Sequence, residues 1–162
     1  MPPVPRRIPR VLAMVDDEEF ADDGRRRLAA ALASPQNPLT ARVIVNRVWQ
    51  QHFGRGLAAN ASDFGMLGEK PSHPELLDWL AHEFVRTGWD VKHLIRLIVT
   101  SETYQRSSQF SVRNSQLDPE NRLLARGPRF RMPSWMLRDQ ALTLSGLLKP
   151  QLGGPSVKPY QP

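Results

Sequence analysis

Proline and glycine set the limits on how this chain can fold. Fifteen prolines and ten glycines are spread over 162 residues, and they bracket the clearest apolar stretches of helical spacing. Neither residue suits a helix interior, so the chain reads as an assembly of short helices. The segment 37–56 shows the pattern best. Asn37 can accept hydrogen bonds from free first-turn amides, and Pro38 follows at the first helical position, where its missing donor costs nothing. Leu39 to Phe53 then carries Val43, Ile44, Val48 and Trp49 at helical spacing, and Gly54 and Gly56 stop it.

The same reasoning places the other helices. A first one covers about 17–33, with Asp22 and Asp23 near its start and Arg25 to Arg27 later, the sense the helix dipole favours. A third opens at Ser72-His73-Pro74-Glu75, where Ser72 and Glu75 make a capping box. Its stripe is Leu76, Leu77, Leu80 and Phe84, flanked by Trp79, and Gly88 closes it. After Trp89, Asp90 caps a fourth helix bearing Val91, Leu94, Ile95 and Ile98, which runs to about Tyr104 or Arg106. The link between these two is short, so they are expected to pack antiparallel. Asp118-Pro119-Glu120 begins a short helix through Leu123, Leu124 and Ala125. Ser134 caps a last one, with Leu137, Ala141, Leu144 and Leu148 on one face.

No strand-period pattern of useful length appears. The fold expected is therefore all-α: an irregular array of five or six helices with one long packed loop and extended termini. A proline-rich arm covers 1–15, a helical domain 16–150 and an extended tail 151–162. That tail reads as a connector cut before the element it leads to. Gly54 to Pro71 is the long loop, and Leu57, Phe64, Met66 and Leu67 give it apolar anchors. Loops of that length inside a compact domain tend to be functional, so this is the segment expected to bear a site.

Composition narrows the chemistry. With no cysteine, the chain holds no disulfide, thiolate metal site, iron–sulfur cluster or covalently attached haem. The basic start is not followed by an apolar stretch, so it is no secretory signal, and no apolar run approaches membrane-spanning length. The net charge is +6, with the basic excess downstream. Arg122, Arg126, Arg129 and Arg131 form a candidate basic patch for nucleic acid. The plainer account is arginines paired with carboxylates and helix ends.

Four ionisable residues surround the long loop: His52, Asp63, His73 and Glu75. Converging, they would make a polar or weak metal site suited to hydrolysis. Against that stands a purely structural account, in which Glu75 serves the capping box, Asp63 an Asx turn, and the histidines loop carbonyls. His82-Glu83 is no zinc-protease motif, because Arg86 stands where the second histidine must be. Asp63-Phe64-Gly65 lacks the other parts of a kinase. Trp49, Trp79, Trp89 and Trp135 are a stacking platform or, more simply, helix packing. Asn46-Arg47 can hydrogen-bond the long loop, which would be structural.

Several ordered strings carry a resemblance. They are Asn37-Pro38-Leu39-Thr40-Ala41-Arg42-Val43, Val45-Asn46-Arg47-Val48-Trp49, His52-Phe53-Gly54-Arg55-Gly56-Leu57 and Pro71-Ser72-His73-Pro74-Glu75-Leu76-Leu77-Asp78-Trp79-Leu80. Further matches are Ser62-Asp63-Phe64-Gly65, Ser101 with Tyr104, Asp118-Pro119-Glu120-Asn121-Arg122-Leu123-Leu124, Arg138-Asp139 and Leu152-Gly153-Gly154-Pro155. Over 37–154 the chain resembles the planctomycete domain of unknown function 1553. The resemblance implies an exported, periplasmic or cell-surface multi-domain protein, with other domains of that parent as partners, a cytochrome c-like module among them. It also implies that the domain continues beyond this chain. Members usually carry an acidic residue where Trp135 stands, so a role for that carboxylate would be missing here. No cofactor is implied.

Two classes of function follow, and a third stays open. The first is a non-catalytic interaction or scaffold module, since no complete catalytic motif is present. The second is a fragment of a polysaccharide hydrolase with its site near 54–71. The third is a basic nucleic-acid-binding module.

Overall fold

The computed structural model describes residues 24–64, 67–109, 116–129, 131–150 and 153. Among them are six helices and no strand: α1 (Arg25–Ala33), α2 (Thr40–Phe53), α3 (Pro74–Arg86), α4 (Val91–Val99), α5 (Glu102–Gln105) and α6 (Ser134–Leu144). The all-α expectation holds. The chain divides into two compact units, 1–129 and 130–162. The expected arm at 1–15, the first-helix residues 17–23 and nearly all of the tail at 151–162 lie outside the described residues.

In the first unit, Asn37 joins two helices. Its Nδ2 donates to Ala31 O at the end of α1 (3.0 Å), while Oδ1 accepts from the amides of Leu39 (2.9 Å) and Thr40 (3.2 Å). The expected cap is present, but Pro38 and Leu39 stay in the turn and the helix begins at Thr40. α2 then buries Ala41, Val45, Asn46 and Trp49 along one face.

α3 departs from the expected start. Ser72 does not cap it; its amide and hydroxyl both donate to Leu57 O, at 2.8 and 3.2 Å. His73 occupies the cap position without a side-chain cap bond, so there is no capping box and Glu75 is an exposed first-turn acid. A bond to a carbonyl 15 residues away has won over a local one. α3 ends in a Schellman motif: Gly88 N donates to Val85 O (3.0 Å) and Trp89 N to Phe84 O (2.9 Å). Both Gly88 and Trp89 have positive φ, 74° and 63°. For a bulky residue that conformation is strained. Trp89 is held in it by the backbone bond and by an edge-on contact with the Phe84 ring, centroids 5.3 Å apart.

Asp90 caps α4 as expected, accepting from His93 N at 3.0 Å. The helix stops at Val99, however, short of the expected 104–106. Thr100 and Ser101 turn their hydroxyls onto the carbonyls of Arg96 (2.8 Å) and Ile98 (2.6 Å), and Ser101 Oγ then accepts from Tyr104 N to start α5. Hydroxyl side chains bonding to nearby backbone compete with helix continuation. The same competition undoes the helix expected at 118–125. Asp118 accepts from the amides of Arg122 and Leu123 (both 2.8 Å), Asn121 bonds the backbone of Arg126 at N and O, and the segment forms turns. Asn121 and Leu124 take positive φ there.

The core is built from Val45 and Trp49 of α2, Leu77, Leu80, Ala81 and Phe84 of α3, and Leu94 and Ile98 of α4, with Leu57 contributed by the long loop. Each large side chain buried this way contributes about 1.5–3 kcal/mol. Glu83 reinforces the α3–α4 contact. With 14% of its side chain exposed, it holds Arg86 at 2.7 Å and His93 Nε2 at 3.3 Å. The hydrogen bond from Arg86 is the main reason its carboxyl is lowered to about 2. A depressed carboxyl stabilises the fold fully above its ordinary pKa near 4.5, and that contribution fades as pH falls toward about 2. Glu83→Gln should therefore melt below wild type at pH 7, with the gap closing between pH 4.5 and 2. Melting curves across that range check this, and a gap that does not narrow toward acid pH would refute it.

In the second unit, α6 carries no buried residue. Pro133 rather than Ser134 takes the cap position, and no side-chain cap bond forms. Within this unit the stripe expected to be buried is not: Leu137 is 52% exposed and Leu144 82%.

Candidate functional site

The long loop is an Ω-shaped excursion whose ends meet, because Ser72 bonds back to Leu57 O. Its near end is fixed by Asn46, a fully buried side chain in the middle of α2. Asn46 Nδ2 donates to Ala58 O and Oδ1 accepts from Ala58 N, both at 2.9 Å. The amide group thereby pairs with a backbone residue as a strand neighbour would. Gly56 makes the approach feasible: a Cβ there would lie 2.6 Å from Ala58 O and 2.7–2.8 Å from the Asn46 amide. The expected structural bond between Asn46 and the loop is present.

Between this loop and the starts of α2 and α3 lies a half-open groove of about 540 Å³. That volume falls within the range of small-ligand and peptide sites. Pro38, Leu39, Phe64, Pro71, Pro74 and Leu77 give it apolar walls, and Arg42, Asp63, Glu69, Lys70 and Asp78 its polar rim. Arg42 crosses the rim, its Nε 2.7 Å from Asp78 Oδ1 and a terminal nitrogen bonded to Pro38 O.

Of the four ionisable residues proposed from sequence, Asp63 is the one that lines this groove. His52 instead holds Val48 O of its own helix through Nδ1 at 2.7 Å, with its ring edge-on to Tyr104. His73 meets the neighbouring Ser72 hydroxyl at 3.0 Å. Glu75 is exposed on the first turn of α3. Among the described residues, no three of the types His, Asp and Glu are grouped to hold a metal ion. Nor does any buried side-chain polar atom lack a hydrogen-bond partner among them.

The basic residues divide similarly. The Arg126 guanidinium donates to the carbonyls of Asp118 (3.1 Å) and Pro119 (2.7 Å). Arg122 pairs with Glu69 at 3.2 Å, while Arg129 and Arg131 are exposed. Sequence reasoning missed the centre of this arrangement. Arg55, just past α2, bonds Glu120 and lies 3.7 Å from Glu69, so the Ω-loop and the 118–124 turns share one ion network. Beneath it is a cavity of about 30 Å³, room for a water or two and no larger ligand. Of the tryptophans, Trp49 is in the core and Trp89 packs against it, whereas Trp79 and Trp135 are 53% and 64% exposed.

These features define a small helical domain whose polar side chains are largely engaged in holding turns and loops. A family profile described as PSD1, protein of unknown function (DUF1553), matches residues 24–162, and the chain belongs to that family. No curated protein matches it. No solved structure matches it either. Among the described residues no helix is long and apolar enough to cross a membrane.

Proposed function

We propose that this chain is a non-catalytic interaction module of an exported multi-domain protein. The observation that carries the reading is α6. It is an 11-residue helix with no buried residue, and it exposes Leu137 and Leu144 on one face while bearing only the adjacent charges Arg138 and Asp139. An isolated helix of this length is marginal in water, so its stability needs a cover for that face. Neighbouring domains of the parent protein, a cytochrome c-like module among them, are the covers the family resemblance favours. The test is self-adhesion of the isolated chain. Its melting temperature should rise with protein concentration, and Leu137→Lys with Leu144→Lys should remove that rise. A sharp transition independent of concentration would count against the reading.

One observation favours a second reading, a polysaccharide hydrolase. The groove has ligand-scale volume and Asp63 in its lining. Release of reducing ends from polysaccharide that is lost in Asp63→Asn would put this reading first. No release from any polysaccharide tried would leave the groove as a binding or structural feature.

A further inference from the structure

We propose that Asn60 is an acceptor for N-linked glycosylation, presented by a turn near the start of the Ω-loop. The chain has five asparagines: Asn37, Asn46, Asn60, Asn114 and Asn121. Asn60 alone has a hydroxyl residue two positions on, in Asn60-Ala61-Ser62. Asn-x-Ser, with x other than proline, is the pattern that N-glycosyl transfer reads, and it must lie on an accessible surface. Here it does. Asn60 and Ser62 are exposed, whereas Asn37 and Asn46 are buried and Asn121 is tied to the backbone of Arg126.

The local geometry suits the chemistry. Asn60 O accepts from Asp63 N at 3.2 Å, so residues 60–63 close a turn. Within it, Asn60 Oδ1 accepts from Ser62 N at 3.1 Å. That bond engages the carboxamide oxygen, while Nδ2 and the Ser62 hydroxyl have no partner among the described residues. An amide nitrogen is a weak nucleophile because its lone pair is shared with the carbonyl. A donor at Oδ1 stabilises charge drawn onto that oxygen, which makes Nδ2–H easier to deprotonate. The Ser62 hydroxyl can both donate to and accept from a transferase.

The co-substrate is a sugar activated at its anomeric carbon as a pyrophosphate ester. Asn60 Nδ2 bonds to that carbon, and the carbon–oxygen bond to the pyrophosphate breaks, its electron pair leaving on the phosphate oxygen. The proton from Nδ2 passes to a base of the transferase, and nothing is oxidised or reduced. The two bonds between Asn46 and Ala58, both 2.9 Å, give the acceptor turn a fixed base. A sugar on Asn60 would stand beside the groove, since Ala58 and Asp63 on either side of it line that space. None of this rests on the adhesive reading of α6.

The test is mass spectrometry of the chain isolated from the cells that make it, read on the tryptic peptide 56–86. A mass increase of whole sugar residues at Asn60 is expected. Asn60→Gln should abolish it, and Ser62→Ala should reduce it about tenfold, the worth of one hydrogen bond. Ser62→Thr, which keeps the hydroxyl, should keep the modification. Two reconstitutions with the purified chain distinguish the donors: a membrane transferase with a lipid-linked pyrophosphate oligosaccharide, and a soluble transferase with a nucleotide diphosphate sugar. Transfer from the lipid donor would support Asn60 and agree with export. Transfer from the nucleotide sugar alone would support Asn60 while counting against export. An unmodified peptide from the native cells would overturn the proposal, as would a sugar retained in Asn60→Gln. So would transfer to a synthetic peptide of residues 56–68 but not to the folded chain.

Discussion

Asn46→Ala is expected to lower the stability of the first unit by about 3 kcal/mol, moving a urea midpoint down by about 1.5–2 M. The substitution removes two hydrogen bonds at once and strands both polar groups of Ala58, which is itself buried at 2% exposure. An unpaired buried amide or carbonyl costs about 1–3 kcal/mol, so the loss exceeds that of a typical surface bond. Gly56→Ala strikes the same joint from the other side, since its Cβ would collide with Ala58 O and the Asn46 amide. Asn60→Ala is the control. Among the described residues its side chain bonds only the exposed Ser62 amide, and its cost should stay within about 0.5 kcal/mol. Equal midpoints for Asn46→Ala and Asn60→Ala would show that the loop does not depend on this anchor.

Phe84→Ala is expected to cost about 4 kcal/mol, the larger of the two effects. Phe84 is 2% exposed and sits where α3 meets the rest of the core. It also supports Trp89, whose ring contacts it edge-on and whose backbone is held in a left-handed conformation. Removing the ring opens a cavity and takes away part of what offsets that strain. The effect should therefore exceed that of Leu94→Ala, a comparably buried residue with no such dependent. Chemical denaturation of both variants checks the ranking. A native stability of about 5–15 kcal/mol would leave Phe84→Ala near the limit of folding.

Much of the first unit was legible because its signals are local. Asn37, Asp90 and the apolar stripes of α2, α3 and α4 act within one or two turns, and the sequence pattern carries them directly. The failures have a common cause in side chains that bond at a distance or compete with the helix. Ser72 reads as a cap until Leu57 O, 15 residues away, is brought to it. Asp118 reads as a helix start, yet it and Asn121 bond amides in ways that close turns. The stripe on α6 reads as core because periodicity reports which face is apolar and not what covers it. The groove was legible only in part. Asp63 lay in the segment singled out, but Arg42, Asp78 and the prolines reach the groove from two helix starts that no linear motif connects.

The double tie of Ala58 to Asn46 and Leu57 to Ser72 has a practical meaning for engineering. Both ends of the excursion are clamped by the rest of the fold, and the closure entropy of the intervening chain rises only slowly with its length. Insertions between those fixed ends should therefore cost the helices little, provided they spare Phe64, which packs on the core, and Glu69, which pairs with Arg55 and Arg122.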